Sequence, residues 1–127
     1  MSKVYIYSAI AVFGVLGCWA RYFMTQLVQN IWGTAFPYAT LIINVSGAFL
    51  MGFLFVETLE RTTLPVALRT GILTGFLGGY TTFSTYMMET ILLAEQGLVL
   101  RGLVYVGLST VAGYAAAFFG VFLARNL

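Results

Sequence analysis

Six of the seven residues from Tyr80 to Tyr86 carry a hydroxyl, and Gly78 and Gly79 stand immediately before them, all within a long apolar stretch. A row of neutral donors and acceptors can coordinate a small ion, and hydrocarbon cannot satisfy it. Paired glycines followed by two β-branched threonines also favour a break in a helix, which frees backbone carbonyls and amides. Irregular backbone at membrane depth is tolerated only where it lines a cavity or is buried in protein. The stretch therefore reads as an ion or substrate site.

Other polar residues lie within apolar runs and admit two readings each. Asn44 is either an interhelical hydrogen-bonding clasp or a ligand contact. Glu89 follows Thr82, Thr85 and Tyr86 at i+7, i+4 and i+3, so a continuous helix would put all four on one face. An intramembrane carboxylate is functional by default, with acceptance from the nearby hydroxyls as the structural alternative. Tyr105 and Ser109 make an i, i+4 polar stripe for which local hydrogen bonding is the simpler reading. Arg21 closes an apolar run, either reaching to the headgroups or offering a vestibule charge to anions.

Composition sets the elements that must hold these residues. The chain has 127 residues, 61% hydrophobic and 8% charged, which places it among integral membrane proteins and forecasts a single domain over 1–127. A net charge of +2 with scattered basic residues gives no nucleic-acid signature. No histidine is present, the four acidic residues are all glutamate, and Cys18 is the only cysteine. No Walker loop, dinucleotide fingerprint, zinc spacing or Ser-His-Asp set occurs, so an enzyme is not expected. Cys18, in an apolar run, is expected to be inert packing. The first apolar run lacks a convincing cleavage site and reads as a span rather than a signal peptide.

Uncharged runs at 4–20, 38–56, 70–88 and 102–124 predict four transmembrane helices, the third broken, with both termini on one side. Lys3, Arg61, Arg69 and Arg125 fall with the termini, against Arg21 and Arg101 opposite. So weak a bias is compatible with insertion both ways, and four helices enclose little, so an antiparallel homodimer follows as a hypothesis. Gly71, Gly75 and Gly79 at four-residue steps form a groove for another backbone. Ala48 with Gly52, Gly113 with Ala117, and Ala116 with Gly120 offer further close contacts.

Three runs carry a family resemblance: GVLGCWARY at 14–22, NVSGAFLMG at 44–52 and GFLGGYTTFST at 75–85. With the length and four spans, they resemble the small fluoride channels called Fluc or CrcB across essentially the whole chain. The resemblance implies a dual-topology antiparallel homodimer in the bacterial inner membrane, with two fluoride pores, exporting fluoride passively from the cytoplasm. It also implies a central structural Na⁺ held by the backbone carbonyls of Gly78 and Thr81 from both subunits. Hard cations suit carbonyl oxygens.

On the same resemblance, Phe83 and Tyr86 are the pore rings, whose positive edges attract an anion without trapping it, and Asn44 is an amide donor to fluoride. Ser84, Thr85 and Glu89 form a polar cluster beside the rings, Tyr105 and Ser109 a polar track, and Arg21 the vestibule arginine. The chain departs from the pattern at Tyr86 and Met87, where the family carries phenylalanine and often serine, and at Gly113 and Ala117, where the track can continue. Two other classes compete. A small multidrug-resistance-type proton-coupled exporter needs a carboxylate in its first helix, and residues 4–20 hold none. A non-transporting scaffold leaves the clustered hydroxyls, Asn44 and Glu89 unexplained.

Overall fold

The computed structural model describes residues 2–127. Helix α1 (Lys3–Trp32) is 30 residues long, starting where Ser2 Oγ accepts the Val4 N–H at 3.1 Å. It ends at Gly33, whose φ of +76° suits glycine and whose N–H returns to Gln29 C=O at 2.9 Å. It thus continues twelve residues past the expected end at residue 20, because Thr25, Gln26, Gln29 and Asn30 are tolerable helix formers and no breaker intervenes before Gly33.

Helix α2 (Tyr38–Val56) starts after Pro37 and continues as a π-helical turn, Glu57–Arg61. After Pro65 come α3 (Val66–Thr70), a π-helical stretch Gly71–Leu77 and α4 (Gly78–Tyr80). These three join into one rod over 66–80. Helix α5 (Ser84–Glu95) ends at Gly97, with φ of +78° and the Leu98 N–H returning to Leu93 C=O at 2.9 Å. Helix α6 (Val99–Arg125) completes the chain.

Three helical segments, Lys3–Trp32, Tyr38–Arg61 and Val99–Arg125, are long and apolar enough to cross a membrane. Between the second and third of these, the 66–95 segment is helical in two pieces. At one end of the bundle Arg125 meets Glu60 at 3.0 Å, while Tyr5 and Ala9 flank Pro65 and Leu68. The 33–37 loop and Gln96 share a cavity at the other.

The tandem glycines pack the 66–80 rod on α1, running parallel to it. A Cβ at Gly71 would meet Phe13 and Ala9, at Gly75 the Ile10 carbonyl at 2.9 Å, and at Gly79 the Gly14 carbonyl at 2.8 Å. The π winding contributes to this fit. Two four-residue steps in an α-helix drift about 80°, whereas the wider π turns over Gly71–Leu77 drift the opposite way, so that with α winding resumed at Gly78 the net rotation from Gly71 to Gly79 is small. All three glycines then stay on the α1 seam. Gly52 and Gly120 bring α2 and α6 together the same way, each against backbone of the other helix, while Gly113 faces open space. Cys18 lies exposed on α1 rather than packed inside.

Candidate functional site: a crevice at an interrupted helix

The helical rod stops within the forecast Gly78–Thr82 stretch, at its threonine end. Gly78 and Gly79 remain helical, and the backbone turns extended at Thr81, with φ −82° and ψ 159°. Side chains rather than glycine freedom hold the break open. Asn44 Oδ1 accepts the Thr82 N–H at 2.8 Å and Asn44 Nδ2 donates to Thr82 C=O at 2.9 Å, so one amide satisfies a whole peptide position as a neighbouring strand would. Thr81 Oγ1 donates to Leu77 C=O at 2.9 Å. Thr82 Oγ1 accepts the Thr85 N–H at 3.3 Å, the bond of an N-cap residue, and so starts α5.

These bonds redirect the carbonyls at the end of the rod. A continuous helix would bring the Thr82 N–H to Gly78 C=O, and Asn44 takes it instead. Gly79 C=O accepts from Arg21 Nε at 3.0 Å. Arg21 is therefore not at a helix end. It lies eleven residues before the end of α1, and its guanidinium closes the α1 side of the break.

Between α2, the break and α6 lies a crevice of about 390 Å³, lined by Asn44, Gly78, Thr81, Thr82, Phe83, Tyr86, Ser109 and Thr110 among others. Six residues singled out in the sequence thus meet in one place: Asn44, Gly78, Thr81, Phe83, Tyr86 and Ser109. Phe83 and Tyr86 meet edge to face, their centroids 6.0 Å apart at 71°. Phe83 is 72% exposed at the lip, and a Cβ added at Gly78 would meet nothing. Ser84 and Thr85 point to the exposed surface outside the crevice lining. Thr110 joins the lining although only Ser109 was singled out; its hydroxyl also bonds Val106 C=O at 2.8 Å.

The one-face arrangement of Thr82, Thr85, Tyr86 and Glu89 does not form, because Thr82 lies before α5 and its backbone belongs to Asn44. Glu89 instead accepts the Tyr105 hydroxyl at 2.8 Å. Tyr105 is 0% exposed, so the expected Tyr105–Ser109 stripe divides: Tyr105 turns inward to Glu89 while Ser109 faces the crevice. The Tyr86 hydroxyl donates to Val106 C=O at a long 3.4 Å. Deeper in the bundle, the Ser46 and Tyr80 hydroxyls share a hydrogen bond of 2.9 Å. No buried side-chain N or O lacks a partner among the described residues, as a low-dielectric interior requires.

Gly78 and Thr81 present carbonyls that the interrupted helix does not consume, because the Thr82 and Thr85 N–H groups are bonded to side chains. Two neutral oxygens suit a hard monovalent cation but fill only part of its shell.

Apolar spans, close glycine packing and a neutral polar crevice beside a broken helix define a small multi-pass α-helical membrane protein built around a site for a small solute. The family description CrcB-like protein, Camphor Resistance (CrcB), matches residues 8–121, and the chain belongs to this family. The chain is 55% identical over 117 residues to a protein of Acidithiobacillus ferrooxidans (strain ATCC 53993 / BNL-5-31) named fluoride-specific ion channel FluC, covering 92% of this chain and 94% of that one. A protein of the same name from Geobacter sp. (strain M21) is 45% identical over 118 residues, covering 93% and 95%. A third, from Legionella pneumophila (strain Paris), is 36% identical over 119 residues, covering 94% and 89%.

Proposed function

We propose that this protein is a fluoride-selective channel that lets fluoride leave the cytoplasm passively. The observation carrying the reading is the crevice beside the broken helix, where Asn44, Thr82, Ser109 and Thr110 bring neutral polar groups to an otherwise apolar lining next to the Phe83 and Tyr86 rings, without a lining cation. Fluoride, small and basic, gains more than chloride from close-set hydroxyl and amide donors. Ring edges attract it without a full charge to hold it, so binding stays weak enough for release. The names of the three relatives point the same way.

The working unit in this proposal is an antiparallel homodimer in the inner membrane, each subunit crossing four times and the 66–95 segment making the third crossing around its break. The support is the exposure of hydroxyls beside the break: Ser84, Thr85 and Thr110 lie on the surface of one chain with the Phe83 ring, and Gly78 has space before it. A second copy would cover them and close the crevices into two pores. It would also add its own Gly78 and Thr81 carbonyls, completing a shell for a structural Na⁺, whose charge would fix the two breaks against each other.

The test is efflux from liposomes holding the purified protein, read with fluoride and chloride electrodes. Rapid fluoride efflux with chloride retained is expected. Equal fluxes overturn selectivity, and uphill transport driven by a proton gradient overturns the channel. In the same assay Phe83→Ile, which removes the ring edge but keeps an apolar side chain, should cut fluoride flux sharply.

A further inference from the structure

A second cavity, of about 190 Å³, lies at the end of the bundle away from the termini. Its lining includes Gln29, Thr34, Phe36, Glu89 and Gln96. At about 30 Å³ per water it has room for about six, and two amides, a hydroxyl and a carboxylate suit them. It shares no lining residue with the crevice.

The side chain of Tyr105 touches one lining residue of each space. Tyr105 is fully buried, touches the crevice-lining Tyr86 edge to face at 5.1 Å and 81°, and donates its hydroxyl to Glu89 of the second cavity at 2.8 Å. On its other flank stands Phe36, edge to face at 5.6 Å and 80°. Phe36 belongs to the short loop between α1 and α2, which is pinned at Gly33 and Pro37. Its ring also rests on Tyr38 at 4.9 Å, and Tyr38 in turn meets Trp32 at 5.4 Å. The loop therefore delivers one aromatic side chain to the Tyr105 ring and braces it from behind.

We infer that the crevice and the second cavity are two ends of one path interrupted by Tyr105, and that Phe36 is the positioning residue that holds Tyr105 closed across it. The inference rests on the proposal that the path carries fluoride. Passage requires the Tyr105 ring to yield, and the Tyr86 and Phe36 contacts oppose that movement. Removing the Phe36 ring leaves space on the cavity side into which Tyr105 can turn. The ratio of open to closed forms then rises by the factor that one edge-to-face ring contact carries, about twofold to tenfold. A wider opening also weakens the close fit that favours fluoride over chloride.

The test uses the full chain in liposomes, comparing wild type with Phe36→Ala, Phe36→Leu and Phe36→Tyr, with flux normalised to folded protein. Phe36→Ala and Phe36→Leu are expected to raise fluoride efflux about twofold to tenfold and to admit chloride, while Phe36→Tyr, which keeps the ring, stays at the wild-type rate and selectivity. If Phe36→Ala does not fold, Phe36→Leu, nearly equal in volume, carries the comparison. A purely structural role for Phe36 would lower the yield of folded protein and leave flux per folded protein unchanged. Unchanged or reduced flux in variants of a conducting wild type overturns this inference alone. A wild type that passes no fluoride overturns the channel proposal and this inference together.

Discussion

Asn44 offers the sharpest test of how the break is held. Asn44→Ala removes an acceptor 2.8 Å from the Thr82 N–H and a donor 2.9 Å from Thr82 C=O, leaving both backbone groups without their partner. An unsatisfied buried polar group costs about 1–3 kcal/mol, so full burial would give about 2–6 kcal/mol. Interhelical hydrogen bonds in membranes average nearer 0.6 kcal/mol each, which sets a floor of about 1.2 kcal/mol for two. Thr82 is partly exposed in the crevice, so a loss of about 1–3 kcal/mol is expected, read as a lowered unfolding midpoint in detergent. Fluoride efflux per folded protein should fall with it, because the Thr82 N–H is then free to return toward Gly78 C=O and straighten the helix. Asn44→Asp is a useful companion: it can still accept from Thr82 N–H but sets a carboxylate oxygen against Thr82 C=O, and should be no more stable than Asn44→Ala. Unchanged stability in Asn44→Ala would refute the clasp. Lost flux at unchanged stability would make Asn44 a fluoride contact instead.

Tyr86→Phe deletes a hydroxyl whose bond to Val106 C=O is 3.4 Å long, so stability should change by less than about 1 kcal/mol and efflux should be no slower; a clear drop in flux at unchanged stability would count against this. Gly79→Ala would drive a Cβ against the Gly14 carbonyl and Cys18, and two backbones cannot step aside as a side chain can. A loss of about 1–3 kcal/mol or more, seen as lost folded protein on size-exclusion chromatography, is expected there, whereas Gly113→Ala, facing open space, should be neutral. Gly78→Ala meets nothing within one chain, so any damage must come from a second copy: it should fold as a monomer and fail to dimerise in cross-linking, and an unaltered dimer would contradict the proposed contact at the breaks. Arg21→Ala leaves Gly79 C=O without its donor and should lower thermal stability, with Arg21→Lys restoring only part because its ammonium lacks the planar fork.

The sequence by itself determined the membrane class, the apolar runs, the glycine seam and the identity of the interrupted segment. Each depends on composition or on short-range spacing: sustained hydropathy, a four-residue glycine repeat, and hydroxyls where hydrocarbon offers no partner. Gly71, Gly75 and Gly79 announce a close backbone wherever they lie, because the absence of a Cβ is a local property. What they could not announce is which backbone, and only the tertiary structure assigned α1 and the π winding that keeps all three aligned. The position of the break was decided at long range as well. Local propensity placed it somewhere within Gly78–Thr82, and the bonds from Asn44, 38 residues away, stop the helix at Thr81 and Thr82. Arg21 was misplaced for a related reason, since a charge ending an apolar run looks like a helix end until a carbonyl 58 residues away accepts from it. Tyr105 and Ser109, one turn apart, look like a single stripe, yet packing turns one to Glu89 and the other to the crevice. Phe36 gave no signal at all. An aromatic residue in a short interfacial loop is ordinary in sequence, and only the folding of α5 and α6 beside that loop brings its ring against Tyr105.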